Sequence, residues 1–149
     1  LRNKKELTVT ESAAVVPRVV HLVHHAEEPA YCIFGGLVFG PLNQAVFNYD
    51  SDVDGFLQVH DDVRWRRNKG ESVLLQGMLS HSVNAGYWYP DIVASVNGEQ
   101  VVDLADFAAK VKKADRWVKL VMDRGSIIIL DKNRTDTAEA EIREIYRIR

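Results

Sequence analysis

Ser82-Val83-Asn84-Ala85-Gly86-Tyr87, then Asp91-Ile92-Val93-Ala94-Ser95-Val96-Asn97-Gly98, then Val101-Val102-Asp103-Leu104: this run of residues decides the fold. The first block is a turn of small residues. The second is an Asp-led apolar strand closed by Asn97-Gly98, a strong hairpin signal because both residues tolerate positive φ. In the third, Asp103 is placed to cap a helix, since its carboxylate can accept the free N–H groups of the first turn. Leu104, Phe107, Ala108 and Val111 then recur at helical spacing. Turn, strand, turn and amphipathic helix follow one another without a gap.

Working outward, Ser72 to Leu79 reads as a strand, in which Gly77 marks a bulge or a close approach. Trp117 to Asp123 and Ser126 to Asp131 read as two strands joined at Arg124-Gly125. Asp136 is expected to cap a last helix carrying Ala138, Ile142 and Ile145 on one stripe. Upstream, the short apolar runs Tyr31-Cys32-Ile33-Phe34 and Leu37-Val38-Phe39 flank Gly35-Gly36, and Pro41 follows closely. Arg18 to His25 is expected to be extended, and Glu27-Glu28-Pro29 breaks it. Leu7-Thr8-Val9-Thr10 is strand-like, and Ser12 to Pro17 reads as a linker. Residues 43–70 are polar with scattered aromatics and read as a long insertion.

Composition bounds the function. The 149 residues suit one domain, or a small domain with extensions. The net charge of −2 gives no electrostatic reason to expect nucleic acid. The basic group Arg64, Arg66, Arg67 and Lys69 follows the acidic Asp50, Asp52, Asp54, Asp61 and Asp62, and the two read together as a solvated loop. No apolar run reaches the ~18 residues of a membrane span, and no signal peptide is recognisable. A chain that opens at Leu1 inside a strand-like segment reads as a fragment of a longer protein. The single Cys32 excludes an intrachain disulfide.

Candidate chemistry is sparse. His21, His24 and His25 are the one local cluster with ligand-like spacing, but in an extended segment His24 points away from the other two. His60, Asp61 and Asp62 lie in the expected loop. Cys32 sits in an apolar run with no base beside it in sequence and reads as a core thiol. No serine stands in a nucleophile motif, and no Lys-Ser/Thr follows the glycines as a phosphate loop would need. Neither a metal site nor a cofactor is expected. A small metal-dependent enzyme using the histidines is the alternative from another functional class.

The strand-turn-helix order resembles a PDZ domain, a module that holds other chains and does no chemistry. Two further blocks extend the resemblance: Tyr31 through Leu42, and Val73-Leu74-Leu75-Gln76-Gly77-Met78-Leu79-Ser80 continuing through Val83-Asn84-Ala85-Gly86-Tyr87 to Ile127-Ile128-Ile129-Leu130-Asp131. Together they resemble the second PDZ domain of Deg/HtrA (Do-like) serine proteases. The resemblance implies an α+β, mainly-β fold: a five- to six-stranded antiparallel sandwich or partial barrel with two helices, a long insertion and a C-terminal helix. It implies that residues 1–16 end a preceding domain and its linker, 17–134 form the PDZ-like domain with its insertion at 43–70, and 135–149 form a helical extension. The implied role is non-catalytic: docking between domains, assembly of trimers or hexamers, and capture of substrate C-termini. Partners would be other domains and protomers of the same protease, with no nucleic acid and no membrane. A bacterial envelope, a chloroplast, a mitochondrion or a nucleus would suit the family. A free-standing peptide receptor is the alternative within the binding class.

A PDZ groove adds a peptide as an extra strand beside a helix. The resemblance assigns the carboxylate-binding turn to Gly35, Gly36, Leu37 and Val38, the groove strand to Phe39 through Leu42, and the helix wall to Leu104, Ala108 and Val111. Leu37 and Phe39, with Val111, would line the terminal side-chain pocket. An apolar Leu104 would favour an apolar ligand residue. Two departures count against a working groove: Val38 stands where many such loops have Gly, and Pro41 has no N–H to give a ligand. One lost ladder bond costs about 1 kcal/mol, roughly fivefold in affinity.

Overall fold

The computed structural model describes residues 30–42 and 71–148. The expected preceding-domain segment, the three clustered histidines, His60, Asp61 and Asp62, and the insertion lie outside the described residues.

The described elements, in chain order, are β1 (Cys32–Phe34), β2 (Leu37–Pro41), β3 (Val73–Met78), β4 (Asp91–Val96), β5 (Glu99–Gln100), α1 (Leu104–Lys113), β6 (Trp117–Met122), β7 (Ile127–Asp131) and α2 (Lys132–Tyr146). All strand pairs are antiparallel, in the order β1-β2-β3-β4-β6-β7, with β5 beside β4. The mainly-β, PDZ-like architecture is as expected. The sheet carries seven strands among the described residues, more than the five to six expected, and it is not closed into a barrel. The excess comes from two hairpins: β1 folds back on β2, and the short β5 folds back on β4.

Each hairpin has a local cause. Asn97 and Gly98 adopt φ of 50° and 86° and turn β4 into β5, while Gly35 and Gly36 adopt 57° and 77° and turn β1 into β2. Two consecutive positive φ values in a two-residue loop match the right-handed twist of the flanking strands. Along β6, Val118, Leu120 and Met122 point into the core while Trp117 and Lys119 point outward. β7 alternates in the same way, with Ile128 and Leu130 inside, and this is the period of a half-buried strand.

Helix α1 begins at Asp103, whose carboxylate accepts the Asp106 N–H at 2.7 Å. Lys110, Lys112 and Lys113 fill its last turn, where cations oppose the negative end of the helix dipole. Phe107 and Val111 are buried on the sheet, and Phe107 meets Phe39 with ring centroids 4.5 Å apart. These residues close a core with Phe34, Leu37, Leu75, Val93, Val118, Leu120 and Ile128.

Helix α2 starts earlier than the sequence suggested. Asp131, not Asp136, is the N-cap and accepts the Asn133 N–H at 3.1 Å, so Asp136 lies within the helix. The chain passes from β7 into α2 with no linker. Thr135, Ala138 and Ile142 are buried, whereas Ile145, expected on the same stripe, is 62% exposed. No helix among the described residues is long and apolar enough to cross a membrane.

Candidate peptide-binding site

The geometry of the site follows from which strand edges are open. β2 pairs with β3 on one side, Leu37 opposite Met78 and Pro41 opposite Val73. On its other side it pairs with β1, Cys32 opposite Phe39 and Phe34 opposite Leu37. The edge of β2 that would take an added peptide is therefore filled by the chain's own β1. Cys32 of β1 and Leu104, Ala105 and Ala108 of α1 line a common cleft, so β1 borders the same space as α1. β1 runs antiparallel to β2, as an added strand would, and Phe34 is buried in the core at its end.

Of the residues assigned to the carboxylate-binding turn, Gly35 and Gly36 form the turn between β1 and β2, and Leu37 and Val38 begin β2. Gly35 and Gly36 are buried, and both of their carbonyls are used inside the domain. Asn84 Nδ2 donates to the Gly35 carbonyl at 2.8 Å, and the Leu79 N–H donates to that of Gly36 at 2.7 Å. Above the turn, Thr135 and Ile142 of α2 approach so closely that no side chain fits: a Cβ on Gly35 would lie 2.8 Å from Thr135 Cγ2. The turn is a β-hairpin turn on which α2 packs.

The remaining assigned residues divide in two. Leu37, Phe39 and Val111 are in the core. Val38 pairs with Ile33 and is half-buried. Leu104 and Ala108 are half-buried and line the cleft with Ala30, Tyr31, Cys32, Glu71, Asp103 and Ala105, around a space of about 690 Å³. The helix-wall residues Leu104 and Ala108 line this cleft, whereas Gly35 and Gly36 line a separate pocket with Glu139, Ile142 and Arg143 of α2. Pro41 lies beyond the stretch of β2 that β1 pairs with, so its missing N–H does not touch that ladder.

Three features escaped the sequence reading. Asn84, 1% exposed, spends its whole side chain on the backbone: besides Gly35, its Nδ2 donates to the Leu79 carbonyl at 2.8 Å, and its Oδ1 accepts the His81 N–H at 3.0 Å. Tyr87 caps the outer edge of β7, its hydroxyl donating to the Ile129 carbonyl at 2.6 Å and accepting the Ile129 N–H at 3.2 Å. His81 Nε2 meets Glu141 of α2 at 3.2 Å, and the Tyr146 hydroxyl reaches the Ser80 carbonyl at 3.1 Å. A small polar residue inside a Gly-containing turn was the available signal for Asn84; nothing local marks the other two.

Two groups near the site titrate away from their ordinary values. Burial, and then the negative charge of Glu139, push the Cys32 thiol up, so it is no activated nucleophile. The hydrogen bond from Lys110 holds the Asp106 carboxyl below the usual carboxylate range, assisted by the Val102 N–H and opposed by partial burial.

An antiparallel sheet with one helix packed beside a β-hairpin edge defines a module of PDZ type. The comparison of sequences agrees: the PDZ domain family matches residues 20–149, and the chain belongs to it. Among known proteins it is similar to the "Putative protease Do-like 3, mitochondrial" of Arabidopsis thaliana, 27% identical over 99% of this chain and 26% of the relative. The "Protease Do-like 4, mitochondrial" of the same plant is 28% identical over 99% of this chain and 27% of its own length. The "Serine protease DegP homolog" of Plasmodium falciparum (isolate 3D7) is 28% identical over 70% of this chain and 12% of its own length. The chain thus spans about a quarter of the Arabidopsis relatives it matches.

Proposed function

We propose that this chain is a docking and assembly module of a Do-like serine protease, whose strand-addition seat is filled in cis by Cys32–Phe34. The observation that carries this reading is the pairing of β2 on both sides. A ligand strand would have to displace β1, and β1 is held at its own concentration through a two-residue turn. An intramolecular competitor on so short a tether acts at millimolar effective concentration or above. A free peptide of ordinary PDZ-type affinity is thereby kept out, which argues against the free-standing receptor. The module then acts through its outer surfaces, on other domains or protomers of its protease. The proteolytic activity belongs to the relatives by name, and this domain contributes to it by positioning. The mitochondrial names of two relatives favour the organelle among the compartments the resemblance implied.

The test is a titration of the isotopically labelled chain with a library of peptides bearing free C-termini. No saturable change at the amides of Leu37 to Gly40 is expected up to about 1 mM, where binding amounts to only ~4 kcal/mol. Saturable shifts there in the micromolar range would sink the reading.

A further inference from the structure

Among the described residues β7 ends the sheet, and its sequence makes that position hazardous. Ile127-Ile128-Ile129-Leu130 is an unbroken run of β-prone, uncharged residues. An edge strand of that composition is a template on which another chain can add. Ile128 and Leu130 are in the core, but Ile127 and Ile129 are each 50% exposed on the outer face. A net charge of −2 over 149 residues does little to keep copies of the chain apart.

What the edge can offer follows from its register with β6. Lys119 lies opposite Ile129 and turns its backbone away from β7. Its N–H donates to Asn97 Oδ1 at 2.8 Å, and its carbonyl accepts the Asn97 N–H at 2.8 Å. In an antiparallel ladder the two residues of such a pair point their backbone groups in opposite directions. Ile129, and Ile127 two residues before it, therefore turn theirs out of the sheet. At Ile129 both groups are taken by one atom. The Tyr87 hydroxyl donates to the Ile129 carbonyl at 2.6 Å and accepts the Ile129 N–H at 3.2 Å. A side-chain oxygen thus stands in for a neighbouring strand at the middle of the edge. Packing holds it there, since the Tyr87 ring is half-buried against the core.

We infer that Tyr87 guards this edge: its hydroxyl keeps β7 from adding a strand, and without it β7 pairs with the β7 of a second copy of the chain. The edge is self-complementary. Antiparallel pairing with Ile129 opposite its own counterpart sets outward backbone groups against outward backbone groups at Ile129, and again where Ile127 meets Asp131. It brings the two Ile129 side chains side by side on the outer face, an apolar cross-strand pair, and places no like charges opposite each other. The inference goes beyond the docking role proposed above and does not depend on how the seat beside β2 is filled.

The test uses the full 149-residue chain and the variant Tyr87→Phe, which keeps the ring and removes only the hydroxyl. In the wild type the Ile129 amide, relative to its intrinsic rate, should exchange about fivefold or more slowly than that of Ile127 on the same edge. In Tyr87→Phe that difference should vanish. The apparent mass in sedimentation should then rise toward twice that of the wild type as the concentration is raised, with the amides of Val93 and Leu120 keeping their protection. Adding Ile129→Lys to Tyr87→Phe should restore the monomer, because a lysine on an edge strand opposes pairing. Equal exchange of Ile127 and Ile129 in the wild type overturns the guard without need of a variant. So does a wild type that associates as strongly as Tyr87→Phe. A Tyr87→Phe chain that frees Ile129 but stays a monomer at every concentration overturns the second copy as the occupant. Association that survives Ile129→Lys lies elsewhere on the molecule and overturns the β7 pairing.

Discussion

At the scale of single residues, Asn84 does more for this domain than its size suggests. It ties the β1–β2 turn to the segment after β3 with two donors and one acceptor, all on backbone partners. Asn84→Ala leaves two carbonyls and one N–H without that partner and should cost about 2 to 3 kcal/mol in urea unfolding. Asn84→Asp should be worse than alanine, since it sets a carboxylate against the carbonyls of Gly35 and Leu79. Gly36 depends on the same cluster. A methyl there would lie 2.5 Å from Asn84 Nδ2 and 2.6 Å from the Leu79 carbonyl, at a φ of +77°. Gly36→Ala should cost about 2 to 4 kcal/mol, since the carbonyl is backbone and cannot step aside. Gly98 is the control: its φ is +86° but nothing lies within 4 Å of an added Cβ. Gly98→Ala should cost about 1 kcal/mol, from backbone strain alone. Comparing the two unfolding midpoints separates crowding from conformational strain.

At the scale of elements, α1 was legible because its start is written in local chemistry: an aspartate cap followed by apolar residues at helical spacing. α2 was legible as a helix, but its start was not, since Asp131 also ends β7 and a strand residue does not advertise itself as a cap. The β1–β2 hairpin was open to the same kind of reading as β4–β5, because Gly35-Gly36 between two apolar runs is a hairpin signal. What the sequence did not show is the packing of Thr135 and Ile142, remote in the chain, on this turn. Within α1, Asp106 carries a testable pH dependence. Its folded carboxyl titrates below its unfolded value, chiefly through Lys110. Its contribution is therefore complete above the ordinary carboxylate range and is lost as pH falls through the lower, folded value. Asp106→Asn should destabilise by about 0.5 kcal/mol near neutrality, as i,i+4 ion pairs do. The gap between wild-type and variant melting temperatures should close as the pH is lowered. A gap that stays constant down to strong acid would show that the ion pair contributes nothing.

At the scale of the whole molecule, α1 packs on β2 and β4, while α2 packs on β7 and on the β1–β2 turn. Leu42, Leu74, Ile92, Ala138 and Ile142 are buried but lie outside the main core. The approach of Ile142 to the β1–β2 turn was beyond sequence reasoning because it joins residues far apart in the chain. It makes a prediction that a merely global stabiliser would not. Ile142 is 1% exposed, and its Cδ1 lies 3.4 Å from where a Gly36 Cβ would be. Ile142→Ala should lower stability by about 3 kcal/mol, through lost burial and the cavity left behind. If α2 seals the hairpin, the loss is uneven. Amide hydrogen exchange should accelerate first at Phe34, Leu37 and Phe39, by local opening of β1 from β2. The amides of Val93, Val96 and Leu120, deep in the β4–β6 ladder, should keep most of their protection until global unfolding. Equal acceleration at both sets would mean that α2 stabilises the domain as a whole and exerts no particular hold on the strand that fills its seat.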